Sequence, residues 1–153
     1  MGLTNFDKVK LGDTLEVVGV STFTGAVNAA SSIKSSSPSA GVGYATGAGG
    51  AVTQITNRST GVTLSKLTGA ITTDATSLAA GAEATFTVTN TTVAVGDVVV
   101  VSARSGQTAA TSIPVVTAVA AGSFDITLTN LNASTADTGA MIINFAVIKS
   151  VSA

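Results

Sequence analysis

Any chemistry in this chain would have to come from carboxylates. Histidine, cysteine and tryptophan are absent, which excludes Ser-His-Asp and Cys-His nucleophilic catalysis and zinc or iron sites built on His or Cys. The acids of interest are Asp74, Glu83, Asp97, Asp125 and Asp137. A glycosidase needs two such groups across the scissile bond, yet nearly all five stand beside predicted turns, where Asp caps the backbone. Sugar clefts also present aromatic platforms, and Tyr44 is the single tyrosine. The expectation is a chain that is not an enzyme and has no catalytic residue.

Other motifs are equally bare. The loops around Asp97 and Asp137 offer oxygen ligands of the kind Ca²⁺ takes, but without EF-hand or Gly-Asp-rich nonapeptide spacing, so no metal is expected. The run Gly-Val-Gly-Tyr-Ala-Thr-Gly-Ala-Gly-Gly of residues 41–50 lacks the G-x-G-x-x-G spacing and a following Lys-Ser/Thr. It reads as a tightly packed or flexible lead-in to a domain, not a phosphate cradle, and no cofactor is expected. Lys66 and Lys149 carry no mark of a pocket that would activate an amine, and Arg58 and Arg104 read as solvated surface charge. The seven basic residues are scattered and the net charge is -1, which argues against nucleic acid as a partner. Three Asn-x-Ser/Thr sequons, at Asn57, Asn90 and Asn132, read as turn chemistry. The first eight residues have no apolar h-region, so classical secretion is not expected.

The elements that carry these residues are strands. Only 10% of the chain is charged and 45% is hydrophobic, with Val, Ala and Ile supplying the apolar mass and Thr and Ser the polarity. β-branched side chains are stiff at χ1 and fit a pleated sheet. Candidate strands cover residues 52–56, 62–67, 70–73, 84–89, 97–103, 113–119, 123–129 and 140–148. Seven or eight short strands at this spacing predict a β-sandwich or jelly-roll-like body. Alternation turns Phe86 and Val88 inward, and likewise Phe124, Ile126 and Leu128. The apolar runs at 98–101 and 141–145 are nearly continuous, so those strands should be covered on both faces, by the opposite sheet and by a neighbouring subunit. A mean hydropathy of +0.54, with no run near the ~20 apolar residues of a membrane helix, points the same way: no membrane, and a shared homo-oligomeric core. There is also an internal echo, in which Thr89-Asn90 followed by Asp97 recurs 40 positions later as Thr129-Asn130 followed by Asp137. Two equivalent hairpin units would account for it.

Residues 1–40 differ from the rest. Gly12, Gly19 and Gly25 cut residues 11–27 into extended pieces too short to close a core within one chain, and Ser-Ser-Ile-Lys-Ser-Ser-Ser-Pro-Ser at 31–39 forms a connector. The expected organisation is an extended N-terminal anchoring arm over residues 1–40 and a β-sandwich body over 41–153.

Residues 15–27, Leu-Glu-Val-Val-Gly-Val-Ser-Thr-Phe-Thr-Gly-Ala-Val, resemble the short repeat of stalks in tailed-bacteriophage fibres and other virion appendages. Residues 41–50, Thr-Gly-Val-Thr-Leu-Ser-Lys-Leu-Thr-Gly-Ala-Ile-Thr-Thr at 60–73 and Ile-Asn-Phe-Ala-Val-Ile-Lys at 143–149 look like a domain widespread among phage virion proteins. The resemblance implies a homotrimeric structural protein of the virion, made in the host cytoplasm and placed on the capsid exterior. At 153 residues the chain is short for a tail fibre and suits a capsid decoration (cement) protein or short head fibre, with the major capsid protein and its own copies as partners. The alternative it leaves is a tail fibre or adsorption protein that binds a host receptor or glycan. On this reading Leu3, Phe6, Val9, Leu11, Leu15, Val17 and Phe23 make the capsid and trimer contacts.

Overall fold

The computed structural model describes residues 18–19, 21–39, 41–108 and 111–150. The chain divides into two units, Met1–Val42 and Gly43–Ala153. Among the described residues of the first unit there is neither helix nor strand, and every one is exposed. Val18, Phe23, Val27 and Ile33 have no cover of their own.

The second unit is all β. Its strands are β1 (Ala51–Thr53), β2 (Val62–Thr63), β3 (Thr68–Thr72), β4 (Glu83–Thr89), β5 (Val98–Ser105), β6 (Ser112–Ala120), β7 (Ser123–Asn130) and β8 (Ile142–Ile148). They form two four-stranded mixed sheets, a first sheet ordered β1-β3-β8-β5 and a second ordered β2-β4-β7-β6. All eight expected strands are present. The third to the last lie within about two residues of where alternation placed them, but β2 is only two residues long. Its continuation turns away after Leu64, where the Lys66 N–H donates back to the Leu64 carbonyl at 2.9 Å.

The first five strands alternate between the sheets. Two crossings reverse the chain twice, so β1 runs parallel to β3 and β2 parallel to β4, while the other neighbours are antiparallel. A jelly roll is built from antiparallel sheets, and these two parallel edge pairs set the present topology apart. Pro114 is accommodated because β6 is an edge strand, where a missing ladder donor costs little.

The core is one layer between the sheets. Phe86, Val88, Phe124, Ile126 and Leu128 from the second sheet, all expected to face inward, meet Ile71, Ile143, Phe145 and Val147 from the first. Each fully buried side chain of this size contributes on the order of 1.5–3 kcal/mol. The Phe124 and Phe145 rings join the sheets, with centroids 5.4 Å apart and planes tilted by 55°, a favourable geometry for aromatic pairs.

The internal echo has a structural counterpart, though not as hairpins. Each copy is a strand of the second sheet, a loop and a strand of the first: β4 to β5, then β7 to β8. Asn90 and Asn130 are both fully buried. The Asn90 amide donates to the Lys66 carbonyl, and that of Asn130 to the carbonyls of Leu78, Ala79 and Thr135. Positions 40 apart also stand opposite each other in both sheets, Phe86 beside Ile126 and Ala103 beside Ile143. Antiparallel pairing of equivalent positions is what an internal two-fold relation produces.

Candidate functional site

The two outer faces of the second unit differ in charge, although both expose apolar side chains: on the second sheet Ile113 and Val115, in register with Thr129 and Thr127, are 42% and 45% exposed. On the second sheet, β4 and β7 pair Glu83 with Thr129, Thr85 with Thr127 and Thr87 with Asp125. Their side chains form a hydroxyl ladder across the strands: Thr85 and Thr127 lie 2.8 Å apart, Thr87 donates to Asp125 at 2.7 Å and Thr129 donates to Glu83 at 3.1 Å. Thr117, the extra residue of a bulge in β6, reaches Thr127 at 3.1 Å.

The outer face of the first sheet carries no charge in the paired rows. Register places Val98 beside Ile148, and Val100 beside Ala146 and Thr68. The next rows are Ser102, Asn144, Ala70 and Ala51, then Ile142, Thr72 and Thr53. Val98, Val100 and Ile148 remain 51%, 50% and 55% exposed. The run at 98–101 was expected to be covered on both faces. Within the chain only Val99 and Val101 of this run pack on the core, and Val98 and Val100 stay half exposed.

The candidate carboxylates are all engaged by the protein's own donors. Asp74 accepts the Thr76 N–H at 2.7 Å and the Thr76 hydroxyl. Asp97 accepts the N–H groups of Ala94 at 2.8 Å and Ser150 at 3.2 Å, and pairs with Lys149, which also donates to the Thr92 carbonyl. Asp137 is fully buried and accepts the N–H groups of Thr108 and Gly139, each at 3.0 Å, and the Ser112 hydroxyl. Among the described residues no three His, Cys, Asp or Glu side chains come together. Nor is any helix there long and apolar enough to cross a membrane.

The expectation of solvated charge fails for Arg58, which is only 3% exposed. Its Nη2 lies 3.7 Å from Asp137 Oδ1 and donates to the carbonyls of Asp137 at 3.1 Å and Gly139 at 2.7 Å, while Nε donates to the carbonyl of Thr76. Three carbonyls take protons from Nε and Nη2 and the nearby carboxylate offsets the charge, which lets the guanidinium be buried although its Nη1 has no partner. No local sequence signal marks it, because its carboxylate partner is 79 residues away. Arg104 is exposed, as expected. The sequon asparagines behave as turn formers: Asn57 accepts the Ser59 N–H at 2.9 Å, Asn90 that of Thr92 at 3.0 Å and Asn132 that of Ser134 at 2.9 Å.

Hydrogen bonds from Thr76 hold the Asp74 carboxyl below its ordinary value, and the bond from Lys149 does so for Asp97. Burial alone would push Asp137 up, but Ser112, Thr108, Gly139 and the Arg58 charge together outweigh it and lower it as well. A carboxylate with a lowered folded pKa binds fewer protons folded than unfolded. Its stabilisation is complete above the ordinary value of about 3.8 and is lost as pH falls through the folded value. Urea midpoints should therefore be flat from neutrality to about pH 5 and fall steeply below pH 4. An Asp137→Asn variant should show a lower midpoint at neutrality and a shallower acid slope.

Of the seven residues expected to make subunit and capsid contacts, Leu3, Phe6, Val9, Leu11, Leu15 and Val17 lie outside the described residues. Phe23 is described and is 71% exposed. Sequence reasoning missed the asymmetry between the two sheet faces, although the alternation of β8, with Ile142, Asn144, Ala146 and Ile148 on one side, carried the signal. In comparisons with known proteins, no family model, curated protein or solved structure matches the chain.

Proposed function

We propose that this chain is a non-enzymatic structural subunit, a homotrimeric virion protein that decorates the outside of a tailed-phage capsid and stabilises it, as a cement protein or short head fibre. The observation that carries the structural part is apolar surface left bare on both units: Val98, Val100 and Ile148 on the first sheet, and Val18, Phe23, Val27 and Ile33 on the N-terminal unit. The candidate carboxylates, by contrast, are committed to loop hydrogen bonds and cross-strand contacts. Bare apolar patches of this kind are suited to assembly. The virion setting rests on the resemblance of residues 15–27, 41–50, 60–73 and 143–149 to phage fibre stalks and virion domains.

The mechanism is assembly without turnover. The arm, through Leu3, Phe6, Val9, Leu11, Leu15, Val17 and Phe23, docks between major capsid protein subunits and joins the three copies. A ligand that binds only the assembled shell favours assembly by mass action, and three linked arms make individually weak contacts sufficient.

Removing residues 1–40, which carry all the docking residues, should leave a soluble β unit that no longer binds purified capsids. Co-sedimentation with capsids measures it, and undiminished co-sedimentation of the truncated protein would refute arm docking. Electron microscopy of intact particles supplies the second check. Density on the tail and not on the capsid exterior would replace this reading with that of an adsorption fibre for a host receptor or glycan.

A further inference from the structure

The first sheet ends on an open strand edge, and the internal two-fold relation indicates which strand fits beside it. We infer that residues 23–27 of another copy of this chain add to the open edge of β5, antiparallel, as β3 adds to β8. The inference rests on the reading of the chain as an arm-joined trimer and names the segment and the edge that join the copies.

Topology locates the position. Ala103 of β5 stands opposite Ile143 of β8, its equivalent 40 residues on, so the two-fold relation exchanges these strands. β8 has β3 on its other side, whereas β5 ends the sheet. The relation therefore carries β3 onto the open side of β5. In the second sheet it exchanges β4 and β7, and there both outer neighbours, β2 and β6, are present. Main-chain groups face the open side of β5. The Val147 N–H donates to the Leu67 carbonyl and the Thr73 N–H to that of Met141, so odd-numbered residues along β8 bond on the β3 side. Val99 beside Val147, Val101 beside Phe145 and Ala103 beside Ile143 then turn their N–H and C=O groups to the edge. Edge strands this long are normally blunted by charge, proline or a bulge. β6 has Pro114, and the one charge and the bulge of β5 come at Arg104, beyond this stretch.

Sequence identifies the occupant. β3 opens with Leu-Thr-Gly-Ala-Ile at 67–71, and the arm holds Phe-Thr-Gly-Ala-Val at 23–27. Thr-Gly-Ala recurs at 46–48 and 138–140, but only at 24–26 and 68–70 does a large apolar residue stand on each side. In β3 the flanking residues turn to the core, Ile71 fully buried and Leu67 packed against it, while Thr68 and Ala70 lie in the outer rows. Phe23 and Val27 repeat that alternation and stand exposed in their own chain. Beside β5 they would cover Ala103, which is exposed although it shares the side of Val99 and Val101.

An exchange of this kind is head-to-tail: the arm of one copy meets the edge of the next, and a ring of three closes it. The about 16 residues from Val27 to the start of the second unit at Gly43, at about 3.3 Å each, span up to roughly 50 Å, enough to reach a neighbouring copy. Main-chain hydrogen bonds supply the attraction and the alternate side chains the specificity. Each copy makes two such contacts in the closed ring, so a short strand that binds weakly between two chains holds there.

Sedimentation equilibrium of the full chain tests the assignment. At micromolar concentration the wild type should show three times the 14.8 kDa of one copy. Phe23→Ser with Val27→Ser should raise the apparent dissociation constant by at least about tenfold, because both side chains are buried only in the assembly. Ala103→Pro should do the same from the other side of the contact. It removes an N–H that faces the edge, where proline is tolerated within one chain but blocks an added strand. Val18→Ser with Ile33→Ser, also at exposed arm positions but outside the pentapeptide, should leave the association as it was. If Ala103→Pro does not fold, as judged by far-ultraviolet dichroism, the arm variants decide. Wild-type association of the Phe23 and Val27 variant, or an equal loss in the Val18 and Ile33 variant, overturns the segment. A folded Ala103→Pro with wild-type association overturns the edge. A wild type that stays monomeric overturns both, together with the oligomeric reading. Normal association with no capsid binding removes only the virion setting.

Discussion

Arg58→Ala will remove roughly 3–5 kcal/mol of folding stability, the usual cost of breaking a buried ion pair by deleting one partner. Domains of this kind hold about 5–15 kcal/mol in all, so the variant should be close to unfolding at physiological temperature. The guanidinium, in the β1–β2 loop, donates to the carbonyls of Thr76, Asp137 and Gly139. It thereby ties the β3–β4 and β7–β8 loops to its own. Its removal leaves those carbonyls without their donor and the fully buried Asp137 carboxylate without its neighbouring charge. Arg58→Lys should recover little, because one ammonium cannot occupy the positions of Nε and Nη2 together. Chemical denaturation measures the loss, and a double-mutant cycle with Asp137→Ala should give a coupling of at least about 1 kcal/mol. A loss below about 1 kcal/mol for Arg58→Ala would show that the loops hold without it.

The strands were legible because their signal is local. Phe86 and Val88, or Phe124, Ile126 and Leu128, alternate with polar residues, and period two needs no knowledge of the partner strand. The parallel pairings of β1 with β3 and β2 with β4 were not legible, since they follow from the chain crossing between sheets, which no window of sequence encodes. Residues 62–67 read as one strand, but the tight turn from Leu64 to Lys66 ends β2 at Thr63. At the site, the turn roles of Asn57, Asn90 and Asn132 could be read from composition, because an Asx turn closes within two or three residues. The burial of Arg58 could not, because it depends on loops brought together from three parts of the chain. The exposure of Val98 and Val100 was half visible: the apolar run pointed to burial on both faces, and only the register showed which two valines stay half exposed.

Gly139→Ala and Gly106→Ala should be the most damaging single-methyl additions in the second unit, because backbone and not side chain stands in their way. A Cβ on Gly139 would lie 1.9 Å from the Gly106 carbonyl oxygen, and one on Gly106 would lie 2.0 Å from that of Ala140. The two glycines let the β5–β6 and β7–β8 loops touch main chain to main chain. Opening that contact by an ångström or more pulls Asp137 away from the Thr108 N–H, held at 3.0 Å, and Thr108 Oγ1 from the Thr138 N–H at 3.3 Å. The expected loss is roughly 3–5 kcal/mol, the range in which single substitutions point to one structural cause. Gly106 adds a second cost, since its φ of +90° disfavours any Cβ by roughly 1–2 kcal/mol. Gly122 separates the two effects. Its φ is +81°, but nothing lies within 4 Å of an added Cβ, so Gly122→Ala should lose only the conformational part, roughly 1–2 kcal/mol. Thermal unfolding of the three alanine variants should therefore rank Gly122 mildest and Gly106 and Gly139 far below it. Equal losses at Gly122 and Gly106 would mean that backbone conformation alone governs this corner and that the loops have room to part.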